Sequence, residues 1–301
     1  MSGPSHGAVL VLHDLSAAAL NASWRAGLVA RDLGVPLRLL HVRGGAPGAA
    51  DAPEALLQLA RDIGGHLGIG VEADLAAGEP LAHAVRAARD ASLVVIGSRR
   101  GNPLREMVCG TQAERLIRLC RAPVLVVKRP AGASYRRVLA PVELDPDARA
   151  VIAAALRLSR RPEVEVLHAL DTRDEIGMRA CDVPETAVRR YRQRAAQRAR
   201  STLLDLIAQA APAASKALPA IGFGDAVAVV LAREQGLRAD LLVLGKRTRG
   251  LLADFFLGSV TQRVLARARA DVLVLPLDAR GRAEGHTSAI SSISTQAPMG
   301  I

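Results

Sequence analysis

Short continuous runs of Val, Leu and Ile alternate along the chain with longer Ala/Leu/Arg stretches whose apolar positions recur every three to four residues. Runs of the first kind are what strands of a parallel sheet look like when helices cover both faces, and the second kind are the covering helices. In the first half the pattern predicts strands over 8–13, 36–42, 69–75, 92–96 and 123–127, and helices over 17–33, 51–67, 79–90 and 111–120. In the second half it predicts strands over 137–142, 163–168, 217–221, 240–244 and 271–275, a helix over 147–160 and a longer one over about 184–210. Gly34 and Pro36 end the first helix, because glycine tolerates the left-handed cap and proline cannot continue a helix. Asp145 and Pro146 supply an N-cap and a first-turn proline to the helix that follows them.

The two halves repeat one unit, and a repeat decides architecture before any motif does. The run Ala8–His13 stops at Asp14, and the run Val138–Val142 stops at Glu143. Leu93–Ile96 leads into Gly97 and Leu241–Leu244 into Gly245, each thirteen residues before a second glycine, Gly110 or Gly258. A hydroxyl follows each of these, Thr111 or Ser259, and each half closes on one more strand, Pro123–Val127 or Asp271–Leu275. The expectation is an α/β protein of two tandem Rossmann-like domains, 7–129 and 136–277, joined near Arg129–Tyr135. Each would be a five-stranded parallel sheet, order 3-2-1-4-5, covered by helices on both faces. Residues 278–301 hold Gly, Ser, Thr and Ala without apolar periodicity and are expected to be a disordered tail.

Composition sharpens this picture. A length of 301 residues suits two domains, each with its own core. Apolar residues make up 50% of the chain and aromatics 2%, which disfavours binding by stacked aromatic platforms. The net charge of +11 arises from 40 basic residues among 29 acidic ones and names no ligand by itself. Arg189, Arg190, Arg192, Arg194, Arg198 and Arg200 concentrate the surplus on the long helix, with Tyr191 the lone aromatic among them. Without a recognition motif this run reads as a solvated helix face, which makes nucleic acid an unlikely partner. No apolar stretch is long enough for a membrane helix and no basic segment precedes the first apolar run, so a cytoplasmic protein is expected. Cys109, Cys120 and Cys181 lack CxxC spacing and a paired His, which suggests neither a disulfide framework nor a metal site. Cys109 before a helix start has the setting of a sensitive thiol, although a small buried hydrophobe is the plainer reading.

In an open parallel sheet a ligand sits beyond the C-terminal strand ends where the winding direction reverses. With strands 1 and 4 at that point, Asp14 and Gly97 face one crevice, and Glu143 and Gly245 its counterpart. Gly110-Thr111 and Gly258-Ser259 open the following helices, where free N–H groups and the helix dipole favour an anion such as phosphate. A lone hydroxyl there is ordinarily just a cap, but its recurrence at one spacing in both halves favours the anion site. His41 and His168 take equivalent places in apolar strands and read as hydrogen-bonded core histidines. His13, beside Asp14, has no partner in the sequence pattern and is assigned no role.

Taken together, 93–101 with 109–128, and 242–250 with 256–265, resemble the universal stress protein (UspA-like) family, and the resemblance spans both halves. Nucleotide-binding members carry G-x2-G-x9-G-(S/T), whose amides and hydroxyl hold phosphates. An aspartate ending strand 1 and the residue after a strand-2 histidine hold ribose and adenine. By that resemblance the roles fall on Asp14, Val42, Gly97, Gly110 and Thr111 in the first half, and on Glu143, Ala169, Gly245, Gly258 and Ser259 in the second. The middle glycine of the pattern is replaced by Arg100, with Gly101 displaced by one position, and by Thr248. A side chain there obstructs backbone approach to a phosphate, while an arginine can itself donate to one. Glu143 is one methylene longer than the aspartate it replaces. The first half is therefore the better candidate for an adenine nucleotide, ATP or a relative, with no metal implied.

The resemblance implies a non-enzymatic stress-response regulator acting through protein partners, with at most weak ATP hydrolysis. The alternatives are an interaction scaffold with vestigial pockets and, behind it, a basic nucleic-acid-associated protein. Neither half offers a second catalytic carboxylate, a Ser–His pair or a ligand cluster near Asp14 or Glu143. Family members pair their last strands edge to edge, so Val124–Val127 and Val272–Leu275 are expected to pair within this chain as an internal pseudo-dimer, with a further homodimer left open.

Overall fold

A computed structural model describes residues 7–43, 52–98, 110–159, 163–210, 216–248 and 258–278. The first half runs β1 (Ala8–Leu12), α1 (Ala17–Leu33), β2 (Leu37–Arg43), α2 (Ala52–Leu67), β3 (Val71–Ala77), α3 (Pro80–Ala87), β4 (Ala91–Gly97), α4 (Gly110–Leu119) and β5 (Val124–Val127). The second runs β6 (Val138–Pro141), α5 (Ala148–Leu158), β7 (Glu163–Leu170), α6 (Arg173–Ala180), α7 (Glu185–Ala210), β8 (Lys216–Phe223), α8 (Ala226–Leu237), β9 (Leu241–Thr248), α9 (Ser259–Arg267) and β10 (Asp271–Asp278). Arg100, Gly101, Cys109 and the tail beyond Asp278 lie outside the described residues.

Local chemistry accounts for the boundaries. Ser16 caps α1 by accepting the Ala19 N–H at 3.2 Å. Gly34 closes the helix at φ 69°, and the N–H of Val35 returns to the Ala30 carbonyl at 3.0 Å. Helix α5 starts only at Ala148, with Asp147 at the cap position and making no side-chain cap, so Asp145 and Pro146 precede the helix instead of capping and opening it. Asp145 Oδ1 accepts the Asp147 N–H at 3.0 Å, and its carbonyl accepts from Ala148 at 3.1 Å. The helix expected over 79–90 ends at Ala87 and gives way to a 3-10 turn over Ala88–Asp90.

Three differences from the sequence pattern stand out. Helices α6 and α8 are additional, and α6 is too polar to display a buried stripe. The strand at 217–221 widens to Lys216–Phe223. Strand β9 runs four residues and β10 three residues further than the apolar pattern suggests, pairing Gly245–Thr248 against Leu275–Asp278. Pro276, which cannot donate to a ladder, is tolerated because β10 has by then outrun β5, whose last partner is Val274.

All ten strands join one sheet in the order β3-β2-β1-β4-β5-β10-β9-β6-β7-β8. Each half has the expected 3-2-1-4-5 order and is parallel throughout. The halves meet where β5 and β10 pair antiparallel, Val126 opposite Val272, Leu125 opposite Leu273 and Val124 opposite Val274. Two edges that would otherwise template association are thereby satisfied within one chain. Alternate strand residues feed two cores, one on each face, and both continue across the junction: Val9, Leu37, Leu125, Val138 and Leu273 on one, Leu10, Val94, Val126, Leu242 and Val272 on the other.

The connection between β5 and β6 is clamped. Asp271, fully buried at the start of β10, accepts the N–H groups of Lys128 and Arg129 at 2.7 and 2.8 Å and the Tyr135 hydroxyl at 2.7 Å. Arg25 of α1, also buried, lies 3.2 Å from the same carboxylate in a charge contact whose N–H is not aligned as a hydrogen bond. Its other nitrogens donate to the carbonyls of Ala133 and Pro130, and its guanidinium lies 4.5 Å over the Tyr135 ring. Burial, reinforced by the Asp271 charge, pushes the Tyr135 phenol well above its ordinary range, so it stays protonated and donates. Asn21 holds the same segment from α1, donating to the Arg129 carbonyl and accepting the Ala131 N–H, both at 2.8 Å.

Candidate functional site

The strand order places the winding reversal between β1 and β4 in the first half and between β6 and β9 in the second, where a doubly wound sheet opens its crevice. Asp14 stands beyond the end of β1 and Gly97 ends the adjacent β4. The Asp14 carboxylate is exposed, and its Oδ1 accepts both the backbone N–H and the hydroxyl of Ser16, at 3.1 and 2.5 Å. Leu15 between them has φ 63°, a left-handed conformation that costs a branched side chain and is tolerated where a turn is over-determined. The turn holds an acid at the mouth of the crevice and then starts α1.

Behind the turn stand two histidines. His41 Nδ1 lies 2.8 Å from the His13 carbonyl, and since a carbonyl only accepts, that nitrogen carries the proton. His168 Nδ1 makes the equivalent bond to the Val142 carbonyl at 2.9 Å. Both histidines are buried and hydrogen-bonded, as their place in apolar strands suggests. His13 is the reverse tautomer: its Nδ1 accepts the Leu15 N–H at 3.1 Å, which leaves the proton on a buried Nε2 without a partner. Burial depresses its pKa below 6.5, against the opposing pull of Asp14 and with a smaller push from His41.

The motif glycines separate into kinds. A Cβ on Gly97 would sit 2.4 Å from the Ala18 carbonyl oxygen and 2.6 Å from its carbon, so this glycine is required by the approach of α1 to β4. A Cβ on Gly245 would strike Leu277 at 2.4 Å and Val151 at 3.3 Å. Gly258 is different: its φ is −49° and nothing lies nearer to its missing Cβ than Thr261 Oγ1 at 4.0 Å, so neither conformation nor packing demands glycine there. Gly110 and Thr111 form the first turn of α4, and Ser259 is the exposed first residue of α9. Val42 and Ala169 are half-buried at corresponding places near the ends of β2 and β7.

The second half departs further. Glu143 is exposed but does not take Asp14's place in the turn; Asp145, two residues on, accepts the backbone N–H two positions ahead. Thr248 lies in β9 opposite Asp278, so the segment after Gly245 is strand. Leu277, buried beside Gly245 and Val151, occupies the space over that strand end. The buried Thr261 ties the first turn of α9 to the Gly245 carbonyl at 3.4 Å, a link that the glycine spacing alone does not reveal.

Elsewhere, the arginines of α7 from Arg189 to Arg200 are exposed, Arg192 lying 3.8 Å over the Phe223 ring and 3.9 Å from Glu175. Cys120 is buried, which raises its thiol pKa. Among the described residues no cluster of three or more His, Cys, Asp or Glu side chains is placed to hold a metal, and no helix is long and apolar enough to cross a membrane.

The sequence model of the universal stress protein family matches residues 6–128 and again 134–276. The chain belongs to the universal stress protein family. It is a tandem member, with one family unit in each half of the ten-stranded sheet. A universal stress protein from Archaeoglobus fulgidus has the same fold, with TM-score 0.67 at 19% identity over 89% of this chain and 98% of that one. A functionally unknown protein from Pseudomonas aeruginosa PAO1 aligns with TM-score 0.64 at 20% identity over 96% of this chain and 97% of its own. At such identities the likeness establishes the fold alone. No curated protein matches the chain significantly.

Proposed function

We propose that this tandem universal stress protein binds one adenine nucleotide, ATP or a relative, in the β1/β4 crevice of its first half and acts as a regulator without turnover. The carrying observation is the strained turn that holds the Asp14 carboxylate exposed at the winding reversal, across from Gly97. Asp14 and Val42 would hold ribose and base, and Gly97, Gly110 and Thr111 the phosphates, with Arg100 and Gly101 beside them. Residues 7–129 would be the nucleotide-binding unit and 136–277 its partner. Protein partners and a cytoplasmic location are expected, and the tail proposed over 278–301 lies, beyond Asp278, outside the described residues.

A specific observation favours the scaffold reading for the second half. Leu277 packs beside Gly245, Thr248 is paired in a ladder and Glu143 does not take Asp14's place in the turn, which supports reading the pocket of Glu143, Ala169, Gly245, Thr248, Gly258 and Ser259 as vestigial. Calorimetric titration with ATP, ADP and AMP tests the asymmetry. We expect one site per chain, abolished by Thr111→Trp and unchanged by Ser259→Trp. Two sites, or loss of binding in Ser259→Trp alone, would overturn the assignment.

A further inference from the structure

Two lysines cross between the halves in a reciprocal pattern. Lys246, the residue after Gly245 in β9, is only 2% exposed, and its ammonium donates to the carbonyls of Ile117 and Arg118 at 2.8 and 2.6 Å. Those carbonyls belong to the last turn of α4, in the other half. Lys128, directly after β5, donates to the carbonyls of Leu265 and Ala268 at 2.5 and 2.9 Å, at the end of α9 in the second half. The last four carbonyls of a helix have no partner within it and carry its negative pole, so a buried ammonium with two bonds to them is a strong cap.

Each lysine is also fixed next to a motif glycine of its own half. Lys246 follows Gly245, and Lys128 follows Val127, the ladder partner of Gly97. The helix that starts at Gly110-Thr111 thus ends on a side chain anchored beside Gly245, and the helix that starts at Gly258-Ser259 ends on one anchored beside Gly97. Antiparallel pairing of β5 and β10 produces the crossing, because it sets the strand end of each half against the last helix of the other.

We infer that Lys246 is a positioning residue for the first-half site: the second half holds helix α4, whose start faces the proposed phosphate site, in order from its C-terminal end. Lys128 does the same for α9. The inference rests on the proposed site only for its effect on nucleotide; the effect on helix order is independent of any ligand. A cation at the C-terminus stabilises the helix, and an anion at the N-terminus needs an ordered first turn to bind, so the two ends are coupled through the order of the helix between them.

Hydrogen exchange on the full chain without ligand, followed by ATP titration, tests this with Lys246→Met, Lys246→Arg and Lys128→Met. Lys246→Met should speed amide exchange across 110–119 by about tenfold and leave 259–267 unchanged, while Lys128→Met should do the reverse. Lys246→Arg should restore most of the protection, and ATP affinity should fall about tenfold in Lys246→Met only. Unchanged exchange in α4, or equal acceleration of both helices in both variants, would overturn the inference. Should Lys246→Met fail to fold, Lys128→Met, at a half-buried position, decides it through α9. If wild-type protein binds no nucleotide while the crossed exchange pattern appears, the nucleotide proposal fails and the lysine inference stands.

Discussion

Replacing Asp271 by alanine is expected to lower the stability of the chain by about 3–5 kcal/mol, the range for breaking a buried charge pair from one side. Four groups lose their partner at once: the N–H groups of Lys128 and Arg129, the Tyr135 hydroxyl and the Arg25 guanidinium. The Tyr135 hydroxyl and the Arg25 guanidinium cannot turn to water without opening the junction, since Asp271 is fully buried, Tyr135 is 2% exposed and Arg25 is 4% exposed. Asp271→Asn keeps an oxygen for the backbone donors but leaves the Arg25 charge uncompensated, so it should cost less than the alanine change and more than a surface substitution. Urea unfolding followed by circular dichroism measures both. A loss below about 1 kcal/mol for Asp271→Ala, the scale of an ordinary exposed pair, would show that the clamp does not hold the halves together.

Gly97→Ala is expected to destabilise by about 1–3 kcal/mol with no nucleotide present, as overpacking does. The added methyl meets the Ala18 carbonyl group, which is backbone and cannot swing aside, so α1 must move off the sheet. Gly258→Ala is the contrast, since its backbone angles suit any residue and its surroundings are open. It should change stability by no more than about 0.5 kcal/mol. Both glycines belong to the motif, Gly97 as its first glycine in one half and Gly258 as its last in the other, yet only Gly97 is demanded by packing. Equal effects in a thermal melt would show that the approach of α1 to β4 does not set the requirement.

Much of the architecture was legible in the sequence because it rests on local rules. The repeat, the strands of each half and the C-terminal limit of α1 follow from apolar runs and Gly34, whereas the junction pairing is an expectation from the family resemblance, and the Ser16 cap needs the structure. What escaped depends on partners distant in sequence. The apolar run stops at Leu244, and only the pairing of Lys246 and Arg247 with Pro276 and Leu277 carries β9 beyond it. Asp271 read as a polar strand start, and its four partners come from residues more than one hundred positions away. Helix α6 escaped for a different reason: a mostly solvated helix has no apolar face to announce it. At the candidate site the sequence placed Asp14 and Gly97 together, while the packing of Leu277 beside Gly245 required the fold.

The central claim is that the first half carries an adenine nucleotide, and the wild-type protein tests it most directly. Purified chain is denatured, the released small molecules are identified by chromatography, and the nucleotide-free refolded protein is titrated with ATP in a calorimeter. The expected result is an adenine nucleotide released from the purified protein and a single ATP site per chain. Absence of any carried nucleotide, together with no heat of binding at millimolar ATP, would contradict the account and leave the chain a scaffold of two vestigial pockets.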